Sequence, residues 1–140
     1  MIPVEQIVFN NQEGDCFRAC IASIFELPID AVPNFWEQTQ DMYKFFDLNN
    51  KWLAEHLGYK CVTWEMKPDD VEVLNDILCV ACAESPRGNV DHAVVWLNGL
   101  LHDPHPSKSG LAKDPTTFTV FIPLDPRRLI NEFGSNSPDN

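Results

Sequence analysis

The chain has 140 residues, with 21 acidic against 10 basic side chains and a formal net charge of −11. That length suits one domain with its own core, and a 44% hydrophobic fraction with nine Phe and four Trp excludes a disordered chain. The acidity excludes recognition of a nucleic-acid backbone or an anionic membrane surface, both of which need a surplus of Lys and Arg.

Eleven Pro and six Gly argue for many loops and against a helical bundle. No apolar run approaches the roughly 20 residues of a membrane helix, and Met1-Ile2-Pro3-Val4-Glu5-Gln6 carries no targeting pattern. The expected compartment is therefore the cytoplasm. There the five cysteines, an odd number, read as free thiols rather than a disulfide framework. One domain is expected over residues 1–132, with a disordered polar tail at 133–140.

Residues 4–9 (VEQIVF) read as a short strand. Asp15 stands at the N-cap of a helix expected from Cys16 to Glu26, because its carboxylate can accept free N–H groups of the first turn. Apolar residues surround that helix almost completely, so it should be central and buried. Pro28 suits its stop. A second helical piece is expected at 33–38. A third, at 41–56, has Tyr43, Phe46, Leu48, Trp52, Leu53 and Leu57 as its stripe, and Gly58 lies just beyond its end.

From Tyr59 the period changes to two, which predicts a strand over 59–66. Residues 69–76 suit a helical turn. Strands are expected at 77–83, at 92–97, at 100–103 and at 118–122, with a turn at 85–89. Asn98-Gly99 is a strong hairpin signal. Helices followed by antiparallel strands predict an α+β fold.

Cys16 falls in the first turn of its helix. Unpaired N–H groups and the helix dipole there favour a thiolate, and a depressed thiol pKa is expected. Cys20, one turn on, reads as core. In the hairpin, a two-residue turn pairs Leu97 with Leu100, Trp96 with Leu101 and Val95 with His102. His92 and Asp103 then share a face as diagonal neighbours, Cβ atoms about 7 Å apart. The carboxylate can orient the imidazole and leave its other nitrogen for a thiol. The same register sets His105 opposite His92 as a second candidate orienter or substrate contact. His102 points to the other face. His56 suits the dipole at the C-terminus of its helix.

Cys79-Val80-Ala81-Cys82 with His102 and His105 offers four N/S ligands for zinc. Positions three apart on a strand face opposite ways, so the preferred reading of Cys79 and Cys82 is core, and no metal or other cofactor is expected.

The run Gly14-Asp15-Cys16-Phe17-Arg18-Ala19-Cys20, with Leu27-Pro28, His92-Ala93-Val94-Val95-Trp96 and His102-Asp103-Pro104, resembles small papain-like cysteine peptidases. The likeness is nearest to bacteriocin-leader-peptidase-like proteins and their short bacterial and phage relatives. It spans residues 4–106. It implies a papain-like fold with the nucleophile helix packed on a C-terminal antiparallel sheet. It also implies Cys16 as nucleophile, His92 as base, Asp103 as orienter and Gln6 as oxyanion-hole residue. Two features depart from the family. Nine residues separate Gln6 from Cys16, which makes Gln12 a rival for the oxyanion role, and Phe17 stands where the leader peptidases have Gly.

The expected activity is a cysteine-dependent hydrolase that cleaves a peptide, isopeptide or side-chain amide through a thioester. The expected partner is a peptide or protein substrate, and the acidity suits a basic one. A transglutaminase- or deamidase-type acyl transferase is the neighbouring chemistry. A catalytically silent binding module or inhibitor is the alternative outside enzymes.

Overall fold

A computed structural model describes residues 1–10 and 14–127. Its elements are helices α1 (Cys16–Ile24), α2 (Phe35–Gln38) and α3 (Met42–His56), and strands β1 (Tyr59–Glu65), β2 (Cys79–Glu84), β3 (Asp91–Trp96), β4 (Leu100–His102) and β5 (Thr117–Pro123). Single 3₁₀ segments lie at Ile29–Ala31 and Pro68–Leu74. The strands form one five-stranded sheet in the order β1-β5-β2-β3-β4, and every neighbouring pair is antiparallel. This is the α+β arrangement expected from the element order.

Strand alternation sorts the core into two layers. Val80, Ala93 and Val95 face α1 and pack with Cys20. Ile21 and Ala22 of α1 join Val32, Leu53 and Cys61. On the opposite face Cys79, Ala81, Val94, Phe118 and Val120 pack with Leu74 of the second 3₁₀ segment. A side chain as fully buried as Ile21 or Leu53 stabilises by roughly 1.5–3 kcal/mol relative to exposure.

Helix α3 starts as expected, with the Asp41 carboxylate accepting the Lys44 N–H at 3.0 Å. Gly58 follows it at φ +72°, the left-handed conformation that glycine adopts without strain. Of its expected stripe, Phe46, Trp52, Leu53 and Leu57 pack on the core and Tyr43 does not. Phe45, Asn49 and Leu53 are the buried positions, while Tyr43 is 87% exposed. Asn49 tolerates burial because its amide donates to the Phe45 carbonyl at 2.9 Å. Asn50 docks the helix on β1: its Oδ1 accepts the Cys61 N–H at 2.8 Å, and its Nδ2 donates to the Cys61 carbonyl at 3.3 Å.

Residues 4–9 do not form the expected strand. Their backbone donors go elsewhere. Val4 N–H bonds to Ser23 Oγ at 2.9 Å, and Ile7 and Val8 both donate to Asp15 Oδ1, at 3.0 and 2.9 Å. Only Gln6 N–H reaches the hairpin region, at the Pro104 carbonyl, 3.0 Å away. The segment is thus an arm strapped between α1 and the loop after β4. The expected tail at 133–140 lies outside the described residues. Among the described residues no helix is long and apolar enough to cross a membrane.

Candidate active site

Asp15 occupies the N-cap of α1, but its carboxylate makes no capping bond. It is buried and instead holds the arm and the Arg18 guanidinium, the latter at 3.2 Å. The expected cap is therefore a clamp. A carboxylate offers about four lone-pair sites, and the arm's backbone donors fill two of them.

No side-chain bond caps the first turn among the described residues, and the backbone N–H groups of Ala93 on β3 and of Phe17 and Cys16 act on the Cys16 sulfur. These favour a thiolate, but burial outweighs them and pushes the Cys16 thiol above its ordinary value. The expected depressed pKa is corrected accordingly: at neutral pH the resting sulfur is a thiol. The neighbouring thiols are raised too, each by burial first, Cys20 well above the ordinary range and Cys82 to about 12. Cys82 pairs with Ala93 across β2 and β3, and the Cys16 thiol adds to its shift.

The hairpin brings His92 and Asp103 together. Asn98 and Gly99 both take positive φ, +57° and +137°, and Val95 pairs with His102 as expected. Trp96 pairs with Leu100 rather than Leu101, through an irregularity between Val95 and Trp96. His92 Nε2 then donates to Asp103 Oδ1 at 2.7 Å, with both side chains buried. Asp103 Oδ1 also accepts the His105 N–H at 2.9 Å, and Oδ2 the Gly110 N–H at 2.8 Å. Burial opposes ionisation of Asp103, but these three donors win and hold its carboxyl below the usual value. Burial also dominates at His92 and lowers its pKa despite the carboxylate. The ring is neutral at pH 7. With its proton on Nε2, the lone pair sits on Nδ1, which takes no hydrogen bond among the described residues.

Alternation sets Ala93 under α1 and turns His92 to the side of Val94. His92 is the second residue of β3, so its ring lies near the end of the strand, where Asp103 follows the last residue of β4. Cys16 packs against the cluster that contains Ala93, the residue next to His92, and its sulfur and the imidazole share no hydrogen bond among the described residues.

His105 is not paired opposite His92. Strand β4 stops at His102, and Pro104 has no N–H to extend the ladder. The His105 ring instead stands edge-on to the His92 ring, centroids 6.2 Å apart. His102 is buried and donates from Nε2 to the Val4 carbonyl at 2.9 Å, a structural bond to the arm.

Gln6 is buried, and its Nε2 donates to the Val8 carbonyl at 2.9 Å. Its Oε1 is enclosed with no hydrogen-bond partner among the described residues. One of the two amide hydrogens is thus committed within the arm and one is left for another acceptor. Gln12 lies outside the described residues. The zinc set is not assembled: Cys79 is buried on the face away from α1, and no group of three His, Cys, Asp or Glu side chains is placed to hold a metal ion among the described residues.

The Asp15 clamp and the Gly110 bond to Asp103 were missed from the sequence. Asp15 was read only as a cap, and nothing in Ser107-Lys108-Ser109-Gly110 marks a carboxylate-binding turn. Comparison of the chain with family models, curated proteins and solved structures gave no match.

Proposed function

We propose that the protein is a cysteine-dependent hydrolase of amide bonds, with Cys16 as nucleophile, His92 as base and then acid, and Asp103 as orienter. The observation that carries this reading is the buried His92–Asp103 bond of 2.7 Å. It leaves the Nδ1 lone pair of His92 free, and Ala93, the next residue of β3, belongs to the cluster against which Cys16 packs. The resemblance of the Cys16 and His92 segments to small papain-like peptidases supports the same roles and a papain-like fold.

Both reacting groups are neutral at rest, so the chemistry is general-base rather than preformed ion-pair chemistry. As the sulfur attacks the carbonyl carbon, the thiol proton passes to His92 Nδ1 and the imidazolium is held by Asp103. The carbonyl oxygen takes the negative charge. The Cys16 N–H and the spare hydrogen of the Gln6 amide are the donors proposed for it. The imidazolium then protonates the leaving nitrogen as the C–N bond breaks and a thioester remains. Water, activated by the same imidazole, releases the acid and restores the thiol. An amine in place of that water gives transfer, and a primary amide substrate gives deamidation. Hydrogen bonds between sulfur and imidazole are often absent before substrate binds.

Two observations favour a second reading, a silent binding module: the thiol is held neutral by burial, and the Gln6 amide is engaged with Val8. A screen of acylated peptides and ubiquitin-like conjugates separates the two. Hydrolysis that is lost in Cys16→Ala supports the enzyme. Binding of a conjugate with equal affinity by wild type and Cys16→Ala, without turnover, supports the module.

A further inference from the structure

The loop between β2 and β3 carries one arginine, Arg87, near the His92 and His105 rings. Its Nη1 donates to Ser107 Oγ at 3.0 Å. Ser107 Oγ also accepts from Ser109 N and Oγ, at 3.3 and 3.0 Å. Its oxygen lies 2.8 Å from His105 Nδ1. That nitrogen takes the Ser107 N–H at 3.0 Å, so His105 carries its proton on Nε2. Arg87 and His105 consequently present only donors. The His105 ring stands against the His92 ring.

Two nearby acidic groups are already engaged. Asp103 is filled by His92, His105 and Gly110, and Glu5 is paired with Lys108. Arg87 has no carboxylate partner among the described residues and is exposed. A guanidinium has five N–H donors in a planar fork, and its one bond here is to a neutral hydroxyl. Its charge reaches both imidazoles and lowers each of them, after burial.

We propose that Arg87, with His105 beside it, binds a carboxylate of the substrate, so that the bond cleaved lies next to an acidic group. This rests on Cys16 and His92 being the reacting pair. A planar carboxylate matches the guanidinium fork, which favours it over a point charge. The overall acidity suits basic partners at a distance, and Arg87 reverses that preference at the site itself. The carboxylate is either an acidic side chain or a free chain terminus.

Three affinity labels with one warhead test this: N-iodoacetyl-glutamate amide, N-iodoacetyl-glutamine with a free α-carboxylate, and N-iodoacetyl-glutamine amide as neutral reference. The readout is the alkylation rate at Cys16, mapped by peptide mass spectrometry and expressed within each variant as a ratio to the neutral label. At least one anionic label should react about tenfold faster than the neutral one, the worth of a charged hydrogen bond, and which one does so identifies the source of the carboxylate. The ratio should fall to about one in Arg87→Gln and recover in part in Arg87→Lys. Ratios near one for both anionic labels in the wild type, or a ratio that survives in Arg87→Gln, would overturn the proposal. Failure of all three labels to reach Cys16 would overturn the assignment of Cys16 as nucleophile, and the carboxylate site with it.

Discussion

Asp15 and Val8 are bonded in both directions: the Asp15 carboxylate accepts the Val8 N–H at 2.9 Å, and the Asp15 N–H donates to the Val8 carbonyl at 3.3 Å. The residue that opens α1 thereby fixes the arm that carries Gln6. Asp15→Ala leaves two arm N–H groups and Arg18 without their acceptor. The expected cost is about 2–4 kcal/mol, because hydrogen bonds to charged groups contribute roughly 1.5–3 kcal/mol each and their loss is partly relieved by water. Asp15→Asn keeps one oxygen and should cost less. Urea unfolding midpoints check both, and equal midpoints for wild type and Asp15→Ala would remove the clamp from the account.

The docking of α3 rests on Asn50, whose amide meets both backbone groups of Cys61. Asn50→Ala should destabilise by about 1–3 kcal/mol, since the Cys61 N–H loses its acceptor in a buried setting. Asn50→Asp should restore much of the loss, because the carboxylate keeps the acceptor that Cys61 N–H needs. An alanine variant as stable as wild type in thermal melts would contradict this.

Stability should fall with acid in two stages. His92 titrates below its ordinary value of 6.5 in the folded chain, so the unfolded chain takes up that proton first as pH falls. The contribution is complete above the unfolded value and is lost as pH drops through the folded one. Asp103 behaves in the same direction below its ordinary 3.8. Urea midpoints should therefore decline from about pH 7 downward, and His92→Gln should flatten the first stage. Midpoints that rise as pH falls from about 7 to 5 would reverse the sign argued here.

Much of the site was legible because its geometry is local. The Asn98-Gly99 turn marks the hairpin, and with the irregularity between Val95 and Trp96, which the sequence does not show, Val95 faces His102 and His92 meets Asp103. The position of Cys16 after Asp15 likewise needs only a helix start. What escaped depends on contacts distant in sequence. No periodicity shows that Asp15 will spend its carboxylate on Ile7 and Val8, and that choice is what removes the expected first strand. The thiol pKa was misread because the first-turn N–H groups are visible in sequence, whereas burial beneath the rest of the chain is not. The α3 stripe held at Phe46, Trp52, Leu53 and Leu57 and failed at Tyr43, while Phe45 and the polar Asn49 also face inward.

The oxyanion role proposed for Gln6 is tested by its effect on turnover. Gln6→Ala should lower turnover by about 100–1000-fold, the usual loss of one such donor, while alkylation of Cys16 by iodoacetamide stays within about twofold, since the amide does not touch the thiol. If turnover is unchanged in Gln6→Ala and lost in Gln12→Ala, the donor belongs to Gln12.

The central claim is that Cys16 attacks an acyl carbon with His92 as its base, and acylation by p-nitrophenyl acetate measures that step directly. Wild type should release a burst of one p-nitrophenolate per chain, with the acetyl group mapped by mass spectrometry to Cys16 and not to Cys20, Cys61, Cys79 or Cys82. His92→Ala should slow the burst by about 100-fold or more, the usual worth of a general base. Acetyl spread evenly over the five cysteines, or an unchanged burst in His92→Ala, would contradict the account.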